Sequence, residues 1–286
     1  MIPSAFDYVA ATTVEEALAA LSQAGDDGKV LAGGQSLVPV LRLRLAAPTT
    51  VVDLNKISEL RGVREDGDAI VVGAMTTHHD VLNDQLVREH AALLALATHT
   101  VGDPQIRHRG TLGGALVHAD PAGDLLAPVV ALDAEMVIVG PGGRRTVPAE
   151  AFFVDLFTTA VQPDELLVEV RIPKKTGWGA HYEKFQRVAQ AWSIVAVAAA
   201  VRTEGGSIAE ARVALTNMAA TPVRANGVEQ ALVGQPANAE TIRAAAEHAA
   251  EGTSPMSDGN ADADYREHLA RVLTGRAVAA AAGVGA

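Results

Sequence analysis

Cysteine is absent from this 286-residue chain. Its absence excludes disulfides, thiolate nucleophiles, redox dithiols and iron–sulfur ligation by this polypeptide. Aromatic side chains are scarce, at 3%, so any single Trp stands out. Cations are outnumbered: 23 Lys and Arg face 34 Asp and Glu, a formal net charge of -11. That balance argues against a nucleic-acid partner, since neutralising a phosphate backbone takes clustered Lys and Arg. No apolar run approaches the roughly 20 residues needed to span a bilayer. The N-terminus shows no basic segment followed by the apolar stretch of a secretory signal. The expectation is a cytoplasmic protein without a transmembrane segment. Apolar residues still make up 49% of the chain, enough for one large or two modest domains.

Two glycine-rich stretches carry the most information: Ala32-Gly33-Gly34-Gln35-Ser36 and Thr111-Leu112-Gly113-Gly114. Each adjoins an apolar, strand-like run. Glycine has no Cβ, so consecutive glycines let backbone N–H groups turn toward one ligand, a common way to hold phosphate oxygens. Ser36 and Thr111 add a hydroxyl at the edge of each stretch. Two such stretches suit a ligand with two linked phosphates, a dinucleotide first of all. Neither is a G-x-G-x-x-G opening a helix, and neither has the P-loop lysine. Taken singly, each is more often an ordinary turn than a phosphate site.

The order of elements predicts an α+β fold. A helix over 12–24 has Thr12 or Thr13 as its cap and Glu15 and Glu16 in its first turn. Pro39 confines a second helix to the early turns of 36–45. Strands are expected at 29–32, 51–54, 61–64 and 69–73, and helices from Thr77, over 91–100 and over 124–132. Gly140-Pro141-Gly142-Gly143 is a hairpin signal between 135–139 and 144–147, and a strand over 165–172 stops at Pro173. Lys174-Lys175-Thr176-Gly177 reads as a domain boundary. Three strands (181–187, 194–202, 209–215) and alanine-rich helices near 225–233, 239–251 and 262–282 follow it.

Other polar groups have plain readings. The segment from His118 to Asp124 is dense in ionisable groups, but no second His-rich segment offers metal-ligand spacing. Asp124 suits capping the apolar helix after it, or accepting from ligand hydroxyls. His78-His79-Asp80 reads as the exposed start of a helix. Lys184 alternates with Glu183 and Phe185 along a strand, where a lone lysine is usually solvated. Trp192 precedes a long apolar strand and either joins the core or walls a pocket. Ala277 to Ala282 is apolar and suits core or subunit packing.

Several segments together carry a resemblance that runs nearly end to end. They are Met1-Ile2-Pro3, Phe6-Asp7-Tyr8, Ala32 to Leu37, Gly73-Ala74-Met75-Thr76-Thr77, Asp103 to Arg107 and Gly110 to Gly114. Beyond the boundary, Tyr182-Glu183-Lys184, Leu215-Thr216-Asn217 and Ser257-Asp258-Gly259 continue it. The chain resembles the medium, FAD-binding subunits of aerobic molybdenum carbon monoxide dehydrogenases, and more broadly the flavoprotein component of the xanthine dehydrogenase family. The resemblance implies an FAD domain of the vanillyl-alcohol oxidase, or PCMH, type over residues 1–175, then a smaller α/β C-terminal domain over 177–286. It implies FAD contacts at Ala32, Gly33, Gly34, Gln35 and Ser36, and at Thr111, Leu112, Gly113 and Gly114. Thr77 lines the same cleft, Asp124 matches an acidic FAD contact, Leu167 lies beside the cofactor, and Lys184 is a basic residue near the flavin. A lysine there tunes the flavin potential by stabilising an anionic reduced ring. A branched side chain at Gly113 is expected to block the cofactor and spare the fold. Two positions depart from the pattern: Ala115 stands where an Asn is common, and Trp192 where a Tyr can cover the flavin.

The implied activity is an electron relay with no catalytic acid or base in this chain. A large partner subunit holds the molybdenum cofactor, a small one holds the 2Fe–2S clusters, and FAD here passes electrons to quinone or another acceptor. The expected assembly is a dimer of heterotrimers, cytoplasmic or peripheral at the inner face of the membrane. The apolar stretch from Ala277 is the expected face for the iron–sulfur subunit. Carbon monoxide is the leading substrate of the complex, with N-heterocycles such as nicotine and purines as the alternative. A self-sufficient flavin oxidase and a scaffold without cofactor are the readings from other classes.

Overall fold

The computed structural model describes residues 2–285; Met1, the first residue of the Met1-Ile2-Pro3 segment, and Ala286 lie outside the described residues. The chain opens with a three-stranded parallel sheet of order β1-β3-β2, made by β1 (Asp7–Ala10), β2 (Gly28–Leu31) and β3 (Thr50–Asp53). Helix α1 (Val14–Ala24) links the first two strands, and α2 (Leu37–Arg42) precedes the third. Thr13 caps α1 by accepting from Glu16 N, and Val14, Ala17 and Leu21 are its buried stripe.

A five-stranded antiparallel sheet of order β4-β5-β10-β6-β7 forms the middle of the molecule. Its first strands are β4 (Val63–Asp66) and β5 (Ala69–Gly73). Six helices follow: α3 (His78–Asn83), α4 (Gln85–His90), α5 (Ala92–His99), α6 (Pro104–Arg107), α7 (Leu112–His118) and α8 (Leu126–Ala131). Then come β6 (Glu135–Gly140), β7 (Gly143–Pro148), α9 (Ala149–Phe152), the small pair β8 (Phe153–Asp155) and β9 (Thr158–Thr159), and β10 (Leu166–Pro173). Side chains alternate across this sheet, with the alternation shifted in β10 by a bulge between Leu167 and Glu169. Val137 and Val168 face the core of the parallel sheet, and Met136, Ile138, Val170 and Ile172 face the helices.

The C-terminal part is a four-stranded antiparallel sheet, β11 (Gly179–Phe185), β12 (Val195–Glu204), β13 (Ser207–Thr216) and β14 (Val223–Arg224), in that order. Helices α10 (Asn226–Leu232), α11 (Ala239–Ala246) and α12 (Ala263–Ala281) cover one face. Strand β12 is apolar on both faces: Val195, Val197 and Val201 meet those helices, whereas Ala196, Ala198 and Ala200 join the core of the middle sheet. The two parts are also pinned by charge. Asp133, at φ +55, receives Lys175 at 3.2 Å, Arg212 at 3.0 Å and Arg224 at 2.7 Å. Burial raises its carboxyl, but the hydrogen bonds from Arg224 and Arg212 outweigh that and hold it below the ordinary range.

Two expectations need correction here. Ala277, Val278, Ala279 and Ala281 are buried in the C-terminal core, so the stretch is not an exposed apolar face; α12 spends those residues on β11 and β12. His78 is buried as well, because the α3 entrance is wedged under the second glycine stretch. No helix among the described residues is long and apolar enough to cross a membrane.

Candidate functional site

Strand β2 delivers the chain to Ala32 and α2 carries it away, so residues 32–36 are a tight strand-to-helix connection. Gly34 sits at φ +76, a conformation glycine adopts without steric cost. The N–H groups of Gly33, Gly34, Gln35 and Ser36 donate to no acceptor among the described residues. Three carbonyls of the same segment are occupied. Ala32 O accepts from Asn55 Nδ2 at 2.9 Å, Gly33 O from Gln35 Nε2 at 3.3 Å, and Gly34 O from Val38 N at 3.0 Å. Unused donors in a row beside satisfied carbonyls make a concavity suited to an anion.

The second stretch is less of a loop than its composition predicts. Gly113 and Gly114 lie in the first turn of α7, and Thr111 is the cap, its Oγ1 accepting from Gly114 N at 3.2 Å. Thr77 and Thr111 pair as an isolated antiparallel bridge. Its bonds run from His78 N to Gly110 O at 2.9 Å and from Leu112 N to Thr76 O at 3.0 Å. Thr77 also caps α3, accepting from Asp80 N at 3.1 Å.

Each glycine has its own neighbour. A Cβ on Gly33 would lie 2.3 Å from Arg109 O and 2.6 Å from Gly110 Cα. One on Gly114 would lie 2.7 Å from Thr111 Oγ1 and 3.1 Å from Ala32 Cβ. The two stretches are therefore in backbone contact, and their missing side chains are what permits it. A Cβ on Gly113 would meet Ala74 Cβ at 2.6 Å and Ala74 O at 2.7 Å. Gly113 is thus packed against Ala74 rather than open to a ligand. A valine there would press on Ala74, so it is expected to disturb the fold locally as well as the cofactor site. The cradle of free N–H groups, glycine backbone and the Ser36 hydroxyl fits a pyrophosphate.

Lys184 and Asp124 form a second constellation at the junction of the two parts. Lys184 Nζ lies 2.8 Å from Asp124 Oδ2, with side-chain exposures of 5% and 6%. Asp124 Oδ1 accepts from Tyr182 Oη and Ser193 Oγ, both at 3.0 Å. Lys184 also donates to Thr100 O at 3.3 Å. Burial pushes the Asp124 carboxyl above its ordinary value, against the opposing pull of Lys184, Ser193 and Tyr182. Asp124 does not cap α8, whose cap residue is Leu125 without a side-chain bond. The solvated reading of Lys184 also fails, for the same reason: its ammonium is spent inside on that carboxylate. Asn217, at φ +63, ties the arrangement by donating to Ser193 O at 2.8 Å.

A cleft of about 650 Å³ opens beside Lys184, lined among others by Thr100, Asp103, Arg107, His181 and Gln186. The Arg107 guanidinium reaches the carbonyls of His99 and Val101 at 3.2 and 2.9 Å. Leu167, on β10, is buried on the helix side of the middle sheet. Trp192 is 56% exposed on the segment before β12 and is not among the residues lining the cleft. Among the described residues no cluster of three or more His, Asp or Glu side chains is placed to hold a metal ion.

The fold thus brings Ala32 to Ser36, Thr77 and Thr111 to Gly114 together, and separately Asp124 with Lys184. Sequence reasoning missed Tyr182, Ser193, Gly110 and His78. Alternation along β11 was a usable signal for Tyr182, which shares a face with Lys184. Nothing local marks Ser193 or His78, because their partners are distant in the chain.

Comparisons with known proteins follow the same division. Residues 4–175 match the FAD binding domain in molybdopterin dehydrogenase, and residues 180–281 match the CO dehydrogenase flavoprotein C-terminal domain. The chain is 42% identical to the carbon monoxide dehydrogenase medium chain of Hydrogenophaga pseudoflava, over 98% of each chain. It is 35% identical to the nicotine 6-hydroxylase medium subunit of Paenarthrobacter nicotinovorans, over 96% of each. The solved carbon monoxide dehydrogenase from Hydrogenophaga pseudoflava superposes with a TM-score of 0.95 at 43% identity, over 98% of each chain. With both halves matched in order and nearly the whole length covered, the chain belongs to the family of FAD-binding medium subunits of molybdopterin dehydrogenases, the carbon monoxide dehydrogenase medium chains among them.

Proposed function

We infer that this chain binds FAD and serves as the electron-exit subunit of a molybdenum hydroxylase, with carbon monoxide as the favoured substrate of the complex. The observation that carries the reading is the contact between the two glycine stretches, with four consecutive N–H donors left free at Gly33 to Ser36. Those donors and the Ser36 hydroxyl hold the pyrophosphate. Thr77 and Thr111, joined across their bridge, fix the wall opposite. The chemistry that FAD would supply when held there is one-electron uptake coupled to two-electron release.

Lys184 supplies a fixed cation beside the cleft, held in place by Asp124, Tyr182 and Ser193. Its charge is balanced by Asp124, so its influence on a flavin is that of an oriented dipole as much as of a bare charge. Leu167 and Trp192 are proposed as apolar neighbours of the cofactor. The chain has no thiolate, so any iron–sulfur cluster would sit on another polypeptide; the partners proposed are a small iron–sulfur subunit and a large molybdenum subunit, in a dimer of heterotrimers. Quinone is the proposed acceptor, and the cytoplasmic side the proposed location. The higher identity to a carbon monoxide dehydrogenase medium chain than to a nicotine 6-hydroxylase subunit favours carbon monoxide over an N-heterocycle.

Gentle purification from the native host, with absorption spectroscopy and mass analysis of what co-purifies, tests this. A yellow complex with two partners that reduces an acceptor with carbon monoxide is the expected result. A colourless chain, or a yellow one that turns over substrate alone, overturns the relay.

A further inference from the structure

The free donors of the first stretch rest on a stack of three layers. Gly33 lies directly over Arg109 and Gly110, as its absent Cβ shows. Gly110 lies in turn over the edge of the His78 ring: a Cβ on Gly110 would be 2.7 Å from His78 Cδ2 and 2.9 Å from Nε2. The stack is held by the bond from His78 N to Gly110 O at 2.9 Å. His78 itself is 4% exposed.

The imidazole is not there for its hydrogen bonds. Its Nδ1 is buried and has no partner among the described residues, which is a cost to the fold rather than a gain. Burial, helped by the Arg107 charge, brings its pKa down to about 4, so it is a neutral ring at ordinary pH. What it contributes is volume at one place.

We propose that His78 is a positioning residue for the dinucleotide pyrophosphate: its ring edge is the stop on which Gly110 rests, and so it sets the spacing between the two glycine segments. This rests on the FAD reading above. Removing the ring lets Gly110 sink and widens the cradle. Adding a methyl at Gly110 lifts it off the ring and drives it against Gly33. Doing both places the new methyl in the space the ring has left and returns Gly110 to its height. Gly110 is not among the glycines with positive φ, so alanine there has no backbone strain of its own.

The test is a double-mutant cycle on the full chain, stripped of cofactor and titrated with FAD, read by flavin fluorescence with far-UV circular dichroism as the control for folding. His78→Ala and Gly110→Ala are each expected to weaken FAD binding on the order of tenfold, as neighbouring residues couple. The double variant is expected to bind more tightly than either single. Should His78→Ala fail to fold alone, Gly110→Ala against the double variant carries the comparison. Singles that bind FAD like the parent, or a double variant whose losses add, overturn the role of His78. A parent chain that does not bind FAD overturns the cofactor reading instead.

Discussion

Asparagine at position 124 is the most informative single substitution at the domain junction. Asp124→Asn removes the only carboxylate among the described residues within reach of a lysine whose side chain is 5% exposed. What remains for Lys184 is one carbonyl, Thr100 O at 3.3 Å. Breaking one side of a buried ion pair costs roughly 3–5 kcal/mol, a large share of the about 5–15 kcal/mol that holds an ordinary domain folded. At this chain length the melting temperature falls about 2 °C per kcal/mol, so a drop of about 6–10 °C is expected. Lys184→Met costs less. Asp124 keeps its bonds from Tyr182 and Ser193, and its raised pKa lets it take up a proton in place of the lost cation. The double variant Asp124→Asn with Lys184→Met leaves no unpaired charge, keeps an acceptor for Tyr182 and Ser193, and is expected to recover most of the loss. Urea unfolding of the four proteins at pH 7, followed by circular dichroism, measures this. Two singles within 1 kcal/mol of the parent, on the scale of a surface pair, would refute the reasoning.

Three further outcomes follow from the same geometry. Gly33→Ala sets a methyl against the backbone of Arg109 and Gly110 and should abolish flavin absorbance in a chain that still folds; a fully yellow variant would sink the cradle. The depressed pKa of His78, about 4 against 6.5, means the unfolded chain binds the extra proton between those values. Stability from this group is complete above pH 6.5 and falls by roughly 3 kcal/mol as pH drops through the window to 4. His78→Leu should flatten that slope in urea midpoints, and an equally steep variant would count against it. Deleting residues 275–286 removes the buried Ala277, Val278, Ala279 and Ala281. It should therefore give insoluble or unfolded protein rather than a folded chain that merely fails to assemble.

Much of this architecture was legible because its signals are local. Thr13 and Glu16, the Gly140 to Gly143 turn and Pro173 each mark an end that the fold uses. The 77–100 region reads as two helices but is three, since Asp84 caps a separate α4 by accepting from Val87 N. Gly113 and Gly114 look alike in sequence, yet one packs on Ala74 and the other faces Ala32. Only tertiary neighbours separate them. The same holds for Lys184, solvated by its local pattern and buried by Asp124, sixty residues away. A buried polar group is legible from sequence only when its partner is close in the chain.

The alanines of β12 have a consequence for how the molecule comes apart. Ala196, Ala198 and Ala200 belong to the hydrophobic interior of the middle sheet, although their strand belongs to the C-terminal part. A wall common to two rooms cannot be taken down from one side alone. The chain should melt in a single calorimetric transition despite its two matched segments. A cofactor held, as proposed, at Gly33 to Ser36 is then expected to exchange by local opening of the 32–36 segment rather than by separation of the two parts.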